Sequence, residues 1–452
     1  GRAAPLARAA RLAPGLQRQL SAASTRPGYT PALFERALTQ GLGAGGQPLD
    51  PLMPRYQVSA VEARQLLVYL DTLAAPATPA AAEPALHLAT VVSSDLPEAL
   101  RRESTDLLGD CLSERSPAAA SATPEHPTWR LHRWTLGPDP ARWGEELAEW
   151  QRREPVFAVI SGLTGRDGHG AWQPVHRFCE AEALPCLLPL TASVDDALPG
   201  RWSVYFSRGV SLEASGAAEW LAEQAPPGGW RRVHAIVSPR NEAAATGAAA
   251  LRRRLATGIE LLTHPADEPP DRQAAWLAEL GARDALVLWL DPAELRRLAT
   301  QPVPTAGALL LSGERLALQA DALAPAWRAQ AVLLSAAAPP ERTLPRLARN
   351  AGRWLLQHGH ALADTPEGLL RQAHSYTACE VTAHALRRLG GRLSRAWFME
   401  LVESADEAAV ATAYPRFTLG PGQRHGAQGL GLWRYAQGTA HLLPAGEPLA
   451  PP

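Results

Sequence analysis

The chain has 452 residues, of which 46 % are hydrophobic, and this is enough for a sizeable core in two or three domains. Its formal net charge is −1 and it contains no basic run, which argues against a dedicated nucleic-acid-binding protein. No stretch approaches the roughly 18 unbroken apolar residues of a membrane span. All basic residues are arginines, so chemistry that needs a lysine amine is excluded.

Residues 1–73 are predicted to form a small helical module. One helix is expected over about 31–41 and a second over about 60–73, each with a polar residue that can cap its first turn. A loop rich in glycine and proline joins them and ends near Met53-Pro54. An Ala/Pro tract over 74–85 has no apolar period and is expected to be a linker.

The order of these features resembles the second half of a class I c-type cytochrome. In that family the methionine of the Met-Pro loop is the distal haem ligand, a role that the resemblance gives to Met53. Residues 1–73 contain no Cys and no His, so this chain as given cannot attach haem. Two explanations stay open: a C-x-x-C-H motif lies upstream of Gly1 and the full-length protein carries covalent haem c, or the module is a haemless appendage.

Residues 86–452 alternate between strand-like and helical patterns, which predicts parallel sheets covered on both faces by helices. Strands are predicted over 86–93, 129–136, 156–162, 186–191, 202–207, 232–238, 258–263, 284–290, 308–312 and 330–335. Helices are predicted near 96–114, 141–153, 171–184, 212–225, 241–256, 271–281, 292–299 and 343–358. So many strands favour two α/β lobes: lobe 1 over about 86–195, lobe 2 over about 202–330, and C-terminal helices and tail over 340–445 that complete them.

Ligands of open parallel sheets bind beyond the carboxyl ends of the strands. In lobe 1 these ends carry small and polar residues that suit a carboxylate, namely Ser93, Ser161, Gly162, Leu163, Thr164, Leu190 and Thr191. In lobe 2, Asp291 and Glu314 suit an ammonium group, while Tyr205 and Trp289 are candidate pocket walls. The alternatives are ordinary ones: serines, threonines and Asp291 as helix caps, Glu314 in a solvated loop, and both aromatic rings in the core.

The order of these stretches resembles the type I periplasmic solute-binding proteins, specifically the branched-chain amino-acid-binding group of ABC transporters. The matching stretches are Pro155–Gly162, Glu182–Leu190, Val204–Arg208, Ser375–Leu389 and Pro415–Tyr435. The resemblance implies a two-lobed fold with a hinge, and it implies that groups over 161–164 and 190–193 hold the carboxylate of the ligand. The bulky Arg166, Asp167 and His169 and the Pro-rich segment 113–128 depart from the family, so a pocket altered for another ligand or filled in stays open.

The sequence therefore predicts a periplasmic solute-binding protein that closes two lobes on a small polar ligand such as an amino acid and works with an ABC permease. The alternative is a c-type electron-transfer protein whose large domain senses a substrate or docks on a periplasmic dehydrogenase as redox partner. Neither a G-x-S-x-G nor an H-E-x-x-H motif occurs, so an enzyme is not expected.

The chain has four cysteines and no C-x-x-C motif, which leaves zinc-ribbon and thioredoxin-like sites without their ligands. Cys179 and Cys186 are seven residues apart, on a predicted helix and at the start of the next strand. They are either a disulfide of an oxidising compartment or two small buried apolar residues.

Overall fold

The computed structural model of the chain describes residues 15–19, 22–26, 29–51, 54–72, 85–117, 127–165, 170–198, 200–237, 242–316, 323–389, 393–405, 412–415, 417–427 and 429–449. The described residues group into two compact units. The smaller unit takes its residues from Gly1–Ala85, Pro117–Thr128 and His384–Val402. The larger unit takes them from Leu86–Ser116, Trp129–Ala383 and Glu403–Pro452.

The smaller unit contains an antiparallel hairpin of β1 (Gly15–Gln19) and β2 (Ala22–Arg26), followed by helices Pro31–Gln40 and Ala60–Thr72. Both helices confirm the sequence prediction, and their caps explain their bounds. The Thr30 hydroxyl accepts a hydrogen bond from the Leu33 N–H at 3.3 Å, and Gly41 ends the helix in the left-handed region at φ 68°. The expectation of an all-α module was wrong, because β1 and β2 form a hairpin. Their stretches GLQRQ and AASTR contain one large apolar residue and show neither the helical nor the strand period of apolar residues, so the sequence did not reveal them.

The larger unit has two sheets. The first sheet has the order β4-β3-β5-β6-β7, formed by Thr128–Leu136, Ala85–Ser93, Ala158–Ile160, Cys186–Leu187 and Ser203–Val204. From β3 to β7 the neighbouring strands are parallel, with Ala89 beside Val159 and Leu187 beside Val204. The carboxyl ends of these four strands therefore lie along one edge of the sheet.

The second sheet has the order β14-β13-β12-β11-β10-β8-β9. Its parallel part is formed by β8 Arg232–Val237, β9 Glu260–Pro265, β10 Asp284–Leu288, β11 Ala308–Ser312 and β12 Ala331–Ser335. The C-terminal tail adds two antiparallel strands at one edge, β13 Gly431–Tyr435 and β14 Leu442–Pro444. Just upstream of them, His425 forms a parallel bridge to Tyr205, so the tail contacts the first sheet before it joins the second.

Helices connect and cover the strands of both sheets. Their bounds are Glu98–Arg115, Trp143–Arg153, Gln173–Ala181, Val210–Glu223, Glu242–Arg254, Pro270–Ala278, Pro292–Leu298, Gly313–Leu316, Pro325–Arg328, Pro340–Gln357 and Pro366–Leu389, with a 3₁₀ turn at Pro140–Arg142. Helix Arg395–Val402 belongs to the smaller unit. Each sheet has its own apolar core, one around the buried Trp134 and Trp143 and the other around Leu286, Leu311 and Trp327. This arrangement confirms the predicted two-lobed α/β fold class, that of the type I periplasmic-binding proteins.

One lobe boundary differs from the expectation. The strand near 202–207 was expected to begin lobe 2, whereas Ser203–Val204 pairs in parallel with Cys186–Leu187 as the last strand of the first sheet. The chain therefore crosses to the second sheet after β7. The two predicted strands 156–162 and 186–191 are also shorter, because Ser161 and Leu188 have φ of 55° and 53° and end the ladders.

Both pairs of cysteines are bonded. Cys179 and Cys186 form the disulfide that the spacing had left open, and Cys111 is bonded to Cys379 across 268 positions of sequence. The second bond joins helix Glu98–Arg115 to helix Pro366–Leu389.

Candidate functional site

The loops that follow strands β3, β5 and β6 come together at the carboxyl edge of the first sheet. The Ser93 N–H donates to the Leu163 carbonyl at 3.1 Å, and the Gly165 N–H donates to the Ser93 hydroxyl at 2.9 Å. The Leu190 N–H donates to the Gly162 carbonyl at 3.1 Å. The structure thus gathers most of the lobe 1 residues that the sequence singled out, and Leu163 and Leu190 also share a small apolar cluster.

The turn at Ser161-Gly162 has an unusual backbone. Ser161 has φ of 55° and Gly162 has φ of 136°, a region that disfavours side chains. A Cβ on Gly162 would lie 2.4 Å from the Trp172 ring and 3.0 Å from the Val91 carbonyl oxygen. Glycine at this position therefore lets the indole of Trp172 pack directly on the turn.

Three buried polar atoms in the segments that follow β5 and β6 have no hydrogen-bond partner among the described residues: Ser161 Oγ, Ser193 Oγ and Trp172 Nε1. Their residues are 1 %, 2 % and 1 % exposed. Buried polar atoms are normally paired, so a group of orphaned donors is an observation that asks for a partner from outside the chain. All three can donate a hydrogen bond, which suits a ligand with acceptor oxygens.

Like the Ser93 hydroxyl, those of Thr164 and Thr191 are used within the chain. Thr164 Oγ1 donates to the Ala171 carbonyl at 2.7 Å. Thr191 Oγ1 accepts from the Ser193 N–H at 3.1 Å. Both contacts fix the loops that carry the orphaned donors, and both leave less hydrogen-bonding capacity for a ligand.

Tyr205 lies at the end of the first sheet, between two histidines. Its hydroxyl is 2.7 Å from Nδ1 of His176, and its ring is stacked on His425 at 5.7 Å between centroids. Burial raises the pKa of the Tyr205 hydroxyl above its ordinary range. Burial and the nearby Arg208 guanidinium lower the pKa of His425 to about 4, so that ring is neutral near pH 7.

The lobe 2 candidates have separate surroundings. Asp291 forms a capping box with Glu294 at the start of helix Pro292–Leu298, the structural alternative named from sequence. The Trp289 ring packs on Gly247, where a Cβ would lie 2.5 Å from the indole. Glu314 follows strand β11, and its Oε1 accepts from the Tyr414 hydroxyl at 3.0 Å.

A second carboxyl, which the sequence analysis missed, contacts Glu314. The Glu314 N–H donates to Oε1 of Glu213 at 2.8 Å, and Glu213 is 1 % exposed. Burial and then the negative charge of Glu314 raise the pKa of Glu213 well above 4.5, against opposing hydrogen bonds that include one from Ser312. The neighbouring sequence does not identify Glu213, because an acidic residue in the first turn of a helix usually faces solvent and interacts with the helix dipole.

Glu242 is another missed carboxyl. It begins the helix after β8 of the second sheet and accepts a hydrogen bond from the backbone N–H of Trp172, beside the first-sheet turn. Burial raises the pKa of Glu242 to about 7, although this hydrogen bond and the charge of Arg177 lower it. A carboxyl from the second sheet's side therefore reaches the same indole residue that packs on Gly162.

A cluster of ion pairs also joins the two lobes. Asp195 and Asp196, which follow β6, face the C-terminal turn of helix Glu242–Arg254. Arg253 lies 3.1 Å from Asp195 and 3.4 Å from Asp196, and Arg254 lies 2.5 Å from Asp196. These arginines also lie at a helix C-terminus, so they interact favourably both with the aspartates and with the negative end of the helix dipole.

Some predicted features lie outside the described residues. Met53, the distal haem ligand that the cytochrome resemblance implied, is one of them, and so are Arg166, Asp167 and His169. Within the described ranges no three His, Cys, Asp or Glu side chains are grouped so that they could share a metal ion. In the same residues no helix is both long and apolar enough to cross a membrane.

Comparison with known proteins gives a likeness of fold. The chain is similar to a fatty acid ABC transporter substrate-binding protein from Thermomonospora curvata, with 14 % identity, a TM-score of 0.53, and coverage of 83 % of this chain and 94 % of that one. It is similar to a leucine-binding protein from Thermotoga maritima, with 11 % identity, a TM-score of 0.54, and coverage of 81 % and 99 %.

A further similar structure is an ABC transporter substrate-binding protein from Aeropyrum pernix, with 12 % identity, a TM-score of 0.58, and coverage of 81 % and 96 %. No protein-family model matches the chain, and no curated protein matches its sequence. At such low identity the structural matches show the type I periplasmic-binding fold, in agreement with the two sheets described above.

Proposed function

We propose that this protein is a periplasmic solute-binding protein that holds a small ligand with a carboxylate and an ammonium group between its two lobes. The observation that carries the proposal is the group of orphaned donors at the carboxyl edge of the first sheet, Ser161 Oγ, Ser193 Oγ and Trp172 Nε1. A carboxylate supplies the acceptor oxygens that these buried donors lack.

The similar structures support a carboxylate in the ligand. The similar structures include proteins named for fatty acid and for leucine, and both molecules carry a carboxylate. Glu314 follows a strand of the second sheet and is the proposed partner of the ammonium group. Of the other candidates, Ser93, Thr164 and Thr191 hold the loops in place, while Leu163 and Leu190 would line the apolar side of the pocket.

The proposed location and partner follow from the fold and from the cysteines. Two disulfides, one of them joining distant helices, are typical of an oxidising compartment such as the periplasm. An ABC permease is the proposed partner. We do not propose electron transfer or a redox partner, since Met53 lies outside the described residues and no described feature favours haem.

Thermal unfolding of the whole chain with a panel of amino acids, amines and carboxylic acids tests the proposal. A ligand at a hundred times its dissociation constant adds about 2.7 kcal/mol and should raise the unfolding midpoint by several degrees. Ser161→Ala should weaken binding of that ligand by about tenfold, equal to about 1.4 kcal/mol. A panel without any shift would contradict the proposal.

Ser215→Ala is the matched control. The Ser215 hydroxyl is buried but already donates to the Ser211 carbonyl at 2.9 Å within its own helix. Its loss should lower stability and leave ligand affinity unchanged. Equal losses of affinity in both variants would show that Ser161 acts through stability alone.

A further inference from the structure

The Glu213–Glu314 pair carries an inference that rests on the proposed function and deepens it. Glu213 is in the first turn of helix Val210–Glu223, and Glu314 is in the helix that follows β11. Oε1 of Glu213 accepts the Glu314 N–H at 2.8 Å, while Oε2 of Glu213 is buried without a hydrogen-bond partner among the described residues. A buried carboxyl and a partly exposed one therefore lie side by side.

Among the described residues, the groups that shift the pKa of Glu213 most include no positive charge. The charged or titratable side chains that face it are Glu314 from the helix after β11 and the Tyr414 phenol from the C-terminal tail. His374 of helix Pro366–Leu389 is stacked on Tyr414 at 5.6 Å, one ring further away.

Two adjacent carboxyls, one of them buried, cannot both be ionised at low cost, because burial and mutual repulsion both disfavour the second negative charge. In the protein without ligand, burial and the charge of Glu314 therefore favour the protonated form of Glu213. A cation brought by a ligand would remove the reason for keeping that proton.

We propose that the Glu213–Glu314 pair selects a ligand with a positively charged nitrogen and couples its binding to the release of one proton from Glu213. When the ammonium group arrives at Glu314, the O–H bond of Glu213 breaks and the proton leaves to solvent. Two carboxylates then face one ammonium group, in place of one carboxylate and one carboxylic acid. Affinity should rise by up to tenfold per pH unit below the pKa of Glu213 in the empty protein, and level off above it.

The experiment is isothermal titration calorimetry of the whole chain. Each standard amino acid is first compared, by thermal unfolding, with the carboxylic acid that lacks its amino group. The amino acid with the largest shift is then titrated in phosphate and in Tris, whose different ionisation heats report the protons released. The expected results are a preference of tenfold or more over the deaminated acid and the release of up to one proton per ligand.

Glu213→Gln separates the inference from the proposed function. This variant keeps the shape of the side chain and should bind with no proton release and with no dependence of affinity on pH. Glu294→Gln is the matched control, because Glu294 is a buried carboxyl of the same lobe and glutamine also completes a capping box. The control should release the same proton as the unaltered chain.

The outcomes are distinguishable. Equal binding of the deaminated acid, or binding by the unaltered chain without proton release, overturns the inference while the proposed function stands. Proton release that persists in Glu213→Gln overturns the role of Glu213. Absence of binding by every compound overturns the proposed function, and the inference with it.

Discussion

Replacing both cysteines of the Cys111–Cys379 bond by alanine should cost the chain more stability than the same replacement at Cys179 and Cys186. All four side chains are at most 1 % exposed, so the losses of packing are comparable. The two bonds differ in the length of chain that they close, since their sequence separations are 268 and 7. The comparison therefore isolates the constraint that each bond places on the unfolded chain.

The chain-entropy relation gives the magnitudes. A closed loop of this longer size stabilises by about 5.6 kcal/mol and the short one by about 2.4 kcal/mol, a difference of about 3 kcal/mol. The assay is urea unfolding of the two double variants and the unaltered chain, followed by tryptophan fluorescence and by circular dichroism. Coincidence of the two transitions is needed before the free energies are compared. Equal losses in the two variants, or a larger loss at Cys179 and Cys186, would show that loop length does not set the stabilisation by these disulfides.

Three further substitutions test other parts of the structure. Gly162→Ala should lower the free energy of unfolding by about 3 kcal/mol, because φ is positive and the new Cβ would clash with the Trp172 ring. Gly46→Ala is the control, since Gly46 has φ of 84° and open space around it, and it should cost about 1 kcal/mol. Urea unfolding measures both. Asp284 is buried between two arginines that hold its pKa well below its usual range. Its contribution is present above the unfolded pKa of about 3.9 and is lost as pH falls towards the folded pKa, so Asp284→Asn should cost about 2 kcal/mol at pH 7 and flatten the acid limb of a stability–pH profile. Asp196→Asn should lower the melting temperature at low salt and reduce its dependence on salt; unchanged salt dependence would remove the electrostatic role of that cluster.

Strands with an uninterrupted apolar run could be predicted almost to the residue. The run over 308–312 was predicted as a strand and is the strand Ala308–Ser312. A parallel strand buried on both faces needs apolar side chains on both, and this is the pattern that the run shows. The predictions were less accurate where the backbone turns sharply. Ser161 and Leu188 have positive φ and end their strands early, and a side chain that is not glycine gives no local warning of that.

The candidate site could be predicted at the level of loops and not at the level of atoms. The order of strands placed Ser93, Ser161–Thr164 and Leu190 at one sheet edge, because parallel strands share their carboxyl ends. Which hydroxyls remain for a ligand depends on partners such as the Ala171 carbonyl, which sequence order does not reveal. Trp172 and Glu213 were missed for the same reason: their importance comes from burial beside residues distant in sequence.

The pairing of distant cysteines was also beyond sequence reasoning. Four cysteines allow three connectivities, and the sequence left open whether even the short pair was bonded. The bond between Cys111 and Cys379 depends on two helices from opposite ends of the larger unit meeting in space.

A crystal structure of the whole chain, grown with the compound that stabilises it most, would show where the ligand binds. We expect its carboxylate within hydrogen-bond distance of Ser161 Oγ and Trp172 Nε1, about 3 Å, and its positively charged nitrogen at Glu314. A ligand bound elsewhere on the chain, with these donors still unpaired, would contradict this expectation.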